Sequence, residues 1–185
     1  MRWGERPHHP AVTQHGVSCD DGFQILHLIV LPIVFSCVVY FEVMDSAEEW
    51  YKTVKEKYPS DGPNREILIS FTLVTLLLHG IGSFVVWRRC GGYRKNFIIL
   101  ASWEISVITY ILAFLFFFTD SVNSGVTLIC ASWGITLMTT VLFLKADKWA
   151  VALALPFLSW TSYLSYSGIN ITRIVSEQSY CIAML

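Results

Sequence analysis

The sequence predicts an all-α membrane protein, a bundle of five transmembrane helices. Two observations carry that expectation. The 185-residue chain is 54% hydrophobic, with 15% charged residues and a mean hydropathy of +0.53, whereas soluble domains carry about 25% charge. Between residues 23 and 173 most of the charges gather in four short clusters. The apolar runs between them approach the roughly 20 residues that cross a hydrocarbon core of about 30 Å.

Residues 1–22 form a polar tail, read as disordered, with His8, His9 and His15 but neither a secretory signal nor an Arg-rich transit peptide. The first span covers residues 23–43 and contains Pro32, whose missing N–H kinks a helix and leaves a carbonyl for neighbours to satisfy. Residues 44–66 make the long connection, and long loops in compact proteins often act as lids. The second span, residues 67–87, runs into Arg88, Arg89, Arg94 and Lys95, where Gly91 and Gly92 make a tight reversal. The third, residues 97–118, carries Glu104; the fourth, residues 122–144, has no charge, and the short turn between them makes them antiparallel neighbours. The fifth, residues 149–173, follows Lys145, Asp147 and Lys148 and is uncharged up to Arg173, leaving residues 176–185 as a C-terminal tail. Trp and Tyr at several span ends suit an aromatic belt, and the distribution of Lys and Arg favours a cytoplasmic N-terminus.

Composition also excludes. A net charge of -1 with no dense basic face gives no nucleic-acid footprint. Cys19, Cys37, Cys90, Cys130 and Cys181 form no CxxC pair, so neither a zinc site nor a disulfide framework is expected. No nucleophile elbow, P-loop, HExxH or helical carboxylate pair is present. The expectation is therefore of no enzyme, no catalytic residue, no metal and no cofactor.

Several constellations stand out within the spans. Ser159, Ser162, Tyr166, Asn170 and Arg173 share one face of the fifth helix, a face expected to look into the bundle. There it serves either as interhelical glue or as a cavity lining. Trp103, Val107, Tyr110, Phe114 and Phe117 form an aromatic stripe on the third helix, suited to packing or to walling a flat ligand. Glu104 is costly as a free carboxylate at its depth, with His27, His79 and Arg94 as candidate partners. Ser124, Thr127, Ala131 and Gly134 line the fourth helix with small residues, which suit either a homodimer contact or packing inside one bundle.

Taken in order, four stretches resemble the translocator protein (TspO/MBR) family, also called peripheral-type benzodiazepine receptors. They are Leu31-Pro32; Glu49-Trp50-Tyr51 at the opening of the first loop; Gly82-Ser83-Phe84-Val85-Val86-Trp87-Arg88 followed by Gly91-Gly92-Tyr93; and Leu155-Pro156-Phe157-Leu158-Ser159-Trp160, with Thr139-Thr140-Val141 between the last two. The resemblance extends over about residues 31–173. The chain departs from the family in residues 57–63, which lack a Trp, in residues 110–114, which offer neither Asn nor Trp, and at Ser124, where the family has Trp.

The resemblance implies a cavity in the helix bundle that binds a sterol such as cholesterol, or a porphyrin-type tetrapyrrole, closed by the first loop, with a role in transport. Its pocket maps onto Tyr40, Val43, Trp50, Leu68, Phe71, Phe114, Trp160 and Leu164. Its sterol-recognition stretch maps onto Arg173, with Ile169 at the usual Tyr position and Tyr166 as a displaced alternative. It further implies the mitochondrial outer membrane, with the endoplasmic reticulum or plasma membrane as alternatives. A different reading of the departures is a membrane interaction or assembly protein whose ligand pocket is degenerate.

Overall fold

Long apolar runs with few backbone breakers give helices, and in the computed structural model every described residue except Asp147 is helical. The described residues are 19–42, 65–90, 92–119 and 122–183. Helix α1 is a continuous rod of three stretches, α-helical Cys19–Ile25, a π-helical turn Leu26–Val30, and α-helical Leu31–Glu42. It is followed by α2 (Arg65–Cys90), α3 (Gly92–Thr119), α4 (Val122–Ala146) and α5 (Lys148–Ala183).

Pro32 explains the irregular start of α1. Its ring clashes with the carbonyl of Leu28 and has no N–H to offer it. The backbone widens just before the proline, where Leu31 N–H bonds Leu26 O, a single π-turn of the kind that relieves such crowding. The Leu28 carbonyl turns toward α2 at Gly80, where a Cβ would lie 2.6 Å from that oxygen. Only glycine permits so close an approach.

Helices α2 to α5 form a four-helix bundle. Helix α3 packs on α4, α4 on α5 and α5 on α2, with a lighter α2–α3 contact, and α1 lies in the groove between α2 and α3. The core holds Leu76, Leu100, Trp103, Val107, Tyr110, Phe143, Phe157, Trp160 and Leu164. Small residues set the closest approaches: a Cβ on Gly125 would meet Phe117 Cα at 2.5 Å, and one on Gly82 would meet Ala150 O at 3.0 Å. Such residues let backbones close where lipid gives no hydrophobic drive for helices to associate.

The expected five helices are present, but among the described residues four are apolar and long enough to cross a membrane: Gly22–Phe41, Ile67–Arg89, Phe97–Phe117 and Asn123–Ala146. The fifth falls short in composition because Trp160, Thr161, Ser162, Tyr163, Ser165 and Tyr166 dilute its apolar run. Helix α5 also continues to Ala183, through the stretch expected as a tail, since no Pro or Gly follows Gly168 to stop it. Helix α1 begins at Cys19, inside the stretch read as a disordered tail.

The fifth-helix stripe faces the other way from the expectation. Ser159, Ser162, Tyr166 and Arg173 are exposed, and the interior face is instead Phe157, Trp160, Thr161, Leu164, Ser165 and Gly168. Shape decides this: Ala150, Ala154 and Gly168 lie on that face, and α4 closes on Gly168 until Val126 would meet a Cβ at 2.9 Å. An outward hydroxyl costs little in lipid when it bonds its own helix, as Ser162 Oγ does by donating to Leu158 O at 2.7 Å.

Candidate functional site

Beyond the tight contact at Gly80, α1 stands away from α2 and α3 and leaves a cavity of about 180 Å³. Its walls include Ser36 and Tyr40 from α1, Leu68 and Thr72 from α2, and Tyr110 and Phe114 from α3. The lining is almost wholly apolar. Ser36 presents little polarity because its hydroxyl donates to Pro32 O at 2.8 Å.

Three polar side chains from three helices meet at the floor of this cavity. Thr72 Oγ1 and Tyr110 Oη are 3.1 Å apart, and Trp160 Nε1 donates to each at 3.1 Å. Aromatic rings hold the group in place: Phe71 stacks on Trp160 at 5.4 Å, Tyr163 stacks on it at 5.5 Å, and Phe157 meets Tyr110 edge-on at 5.1 Å. A buried indole or phenol needs a partner for its polar end, and here the two supply each other. Chemically, the site offers apolar area to a ligand together with a small, positioned set of hydroxyls.

The residues expected at the site divide into groups. Tyr40, Leu68 and Phe114 line the cavity. Trp160 and Leu164 lie in the core and do not line the cavity, though Trp160 bonds the lining hydroxyls of Thr72 and Tyr110, and Phe71 is half-exposed on the outer side, stacked on Trp160. Tyr166 is 68% exposed and Arg173 is exposed, and neither lines the cavity. Val43 and Trp50 lie outside the described residues. Tyr110, named in the third-helix aromatic stripe as a possible ligand wall, lines the cavity. Sequence reasoning missed Ser36 and Thr72, each one helical turn from a residue it did name, 36 with 40 and 72 with 68, so the rule that i and i+4 share a face would have found both.

Polar groups elsewhere have other settings. Glu104 meets His27 on α1, Nε2 to Oε1 at 3.7 Å, with both half-buried. His79 is fully buried, stacked on Phe157 at 4.7 Å and close to Trp103 and Phe143, and among the described residues neither ring nitrogen has a hydrogen-bond partner. Asp147 closes the α4–α5 turn. Its Oδ1 accepts from the N–H groups of Trp149 at 2.7 Å and Ala150 at 3.3 Å, capping α5, and its Oδ2 accepts from Arg89 at 2.6 Å. The Arg89 hydrogen bond, with help from the backbone donors, holds the Asp147 carboxyl below its ordinary range. Ser124, Thr127, Ala131 and Gly134 all face outward, and among the described residues no three metal-ligating side chains come together.

A family model described as the TspO/MBR family matches residues 28–174 of the chain. No curated protein and no solved structure matches it.

Proposed function

The chain belongs to the TspO/MBR family, and from that premise we propose that it binds an apolar ligand, a sterol or a tetrapyrrole, in the cavity between α1, α2 and α3. Family and apolar helices together make it an integral, multi-pass, translocator-like membrane protein whose surroundings are the lipid bilayer. In our reading α5 also spans: at 36 residues it is longer than a bilayer requires. The mitochondrial outer membrane is its proposed location, on the family resemblance.

The observation that carries the reading is an apolar cavity walled by Tyr40, Leu68 and Phe114 and floored by hydroxyls from two helices. Its volume of about 180 Å³ is below the roughly 300–1,000 Å³ of ligand pockets, so a ligand of this size requires α1 to move outward. Helix α1 is the element best able to do so, since 11% of its apolar stretch is buried against 44% for α2 and 39% for α3. Transport would follow if the same movement opened the cavity to both the bilayer and a partner.

The test is a titration of the protein in nanodiscs with cholesterol and with protoporphyrin IX, followed by tryptophan fluorescence. Saturable quenching by one of them, abolished when Leu68→Trp fills the cavity, is the expected result. Quenching that stays linear for both, or is unchanged in the filled variant, overturns the assignment. A second reading, an interaction protein with a degenerate pocket, draws on the small cavity and on the outward row Ser124, Thr127, Ala131 and Gly134, a surface suited to a homodimer. Linear quenching combined with a dimer that Gly134→Leu dissociates would favour it.

A further inference from the structure

The hydroxyl group at the cavity floor has one proton more than it can use. Its three donors are the Trp160 indole N–H and the hydroxyls of Thr72 and Tyr110, which lie mutually at 3.1 Å. An indole nitrogen donates only, whereas each hydroxyl both donates and accepts. The indole proton goes to the two oxygens, and one hydroxyl donates to the other. Whichever way that bond runs, the second hydroxyl proton has no acceptor inside the trio.

Among the other buried hydroxyls, Ser132 donates across to Ser106 O, Thr136 and Ser165 have no partner among the described residues, and several place their protons on carbonyls of their own helix. Thr75 donates to Phe71 O, Ser106 to Trp103 O, Thr140 to Thr136 O and Thr161 to Phe157 O. Thr72 does not: among the described residues, its hydroxyl and that of Tyr110 bond only within the trio. Both residues line the cavity. Apart from Ser36 and Tyr40, whose hydroxyls are not bonded to the pair, the remaining walls are nearly all hydrocarbon, and a ligand in the cavity can supply an acceptor for the spare proton.

We propose that the cavity selects apolar molecules carrying a hydrogen-bond acceptor oxygen, such as a ketone, ester or ether, which takes the free O–H of the Thr72–Tyr110 pair. This rests on the ligand-binding reading above and specifies the class of ligand. A hydrocarbon of the same shape fills the cavity but leaves the proton unmet. The indole N–H of Trp160 acts as a positioning group that keeps both hydroxyls at the floor.

The experiment compares 5α-cholestan-3-one with 5α-cholestane, which differ only at one carbonyl, by tryptophan quenching in nanodiscs, and records the carbonyl stretch of the bound ketone by infrared spectroscopy. The wild-type protein should bind the ketone roughly tenfold more tightly, the worth of one buried hydrogen bond, with the stretch lowered from its value in lipid alone. Thr72→Val or Tyr110→Phe alone should keep the preference, because either remaining hydroxyl still has a free proton. The double variant should lose both the preference and the shift. Equal affinity for the two probes with an unshifted stretch in the wild type overturns this inference and leaves the apolar-binding reading standing. Saturable binding of neither probe, nor of cholesterol or protoporphyrin IX, overturns both.

Discussion

Helix α1 is the most apolar of the spans and the least buried, while α5, too polar to qualify by composition, supplies Phe157, Trp160, Thr161, Leu164 and Ser165 to the interior. In water that order would be reversed, because apolar surface is driven inward. In lipid the solvent is as apolar as leucine, so packing and hydrogen bonds gather helices instead. The helix with hydroxyls and small residues belongs at the centre, and the uniformly greasy one can stand at the edge. The same contrast separates a fixed bundle from a wall able to move, and the cavity lies where the two meet.

Truncations on the two helices should therefore differ widely. Trp160→Ala removes a buried ring and the donor of the floor trio and should cost about 3–5 kcal/mol, read as a lowered midpoint of unfolding in mixed detergent. Phe35→Ala on α1, 55% exposed, should stay within about 0.5 kcal/mol. Similar losses for the two would break the comparison.

Added methyl groups sharpen it. Gly125→Ala drives a Cβ into the Phe117 backbone at 2.5 Å, between two bundle helices that cannot easily separate. About 1–3 kcal/mol of destabilisation is expected. Gly80→Ala meets the Leu28 carbonyl at 2.6 Å, an equally severe clash, but α1 can yield. It should leave the unfolding midpoint nearly unchanged while lowering disulfide cross-linking between cysteines placed at positions 29 and 81. A large drop in the midpoint would place α1 within the fixed bundle.

The smallest effect concerns the turn that clamps α5 to α2. Because Arg89 depresses the Asp147 carboxyl, the stability it contributes is present above the ordinary carboxyl value of about 3.9. That stability is lost as pH falls through the lower value of the folded state. The pair is partly exposed, so the ionic part is worth about 0.2–1 kcal/mol. Asp147→Asn, which keeps the cap on Trp149 and Ala150, should lose that much at pH 7 and show a flatter acid limb below about pH 4. Asp147→Ala should lose roughly 1 kcal/mol more with the cap.

The helices were legible because charge clusters and apolar length report directly on what a bilayer permits. The family was legible from blocks such as Leu155-Pro156-Phe157-Leu158-Ser159-Trp160 held in order. The inward face of α5 was not, since Ser159, Ser162 and Tyr166 share a stripe as regular as the one that turned inward. Periodicity finds faces, and in lipid polarity does not rank them; the fit of Gly168 to Val126 and of Gly82 to Ala150 does. Tyr40, Leu68 and Phe114 could be placed near a cavity through the family resemblance, whereas the meeting of Thr72 with Tyr110 and Trp160 depends on three helices whose relative rotation no single stretch encodes.

The central claim, a ligand cavity whose outer wall is α1, is tested most directly by pulsed spin-label distances in nanodiscs, with the native cysteines replaced. One pair joins position 35 on α1 to position 108 on α3, and a second joins position 108 to position 155 on α5. On saturation with whichever of cholesterol or protoporphyrin IX quenches the protein's fluorescence, the first distance should lengthen and the second should stay fixed. Saturable quenching with the first distance unchanged, or with the second changing as much, would contradict the account.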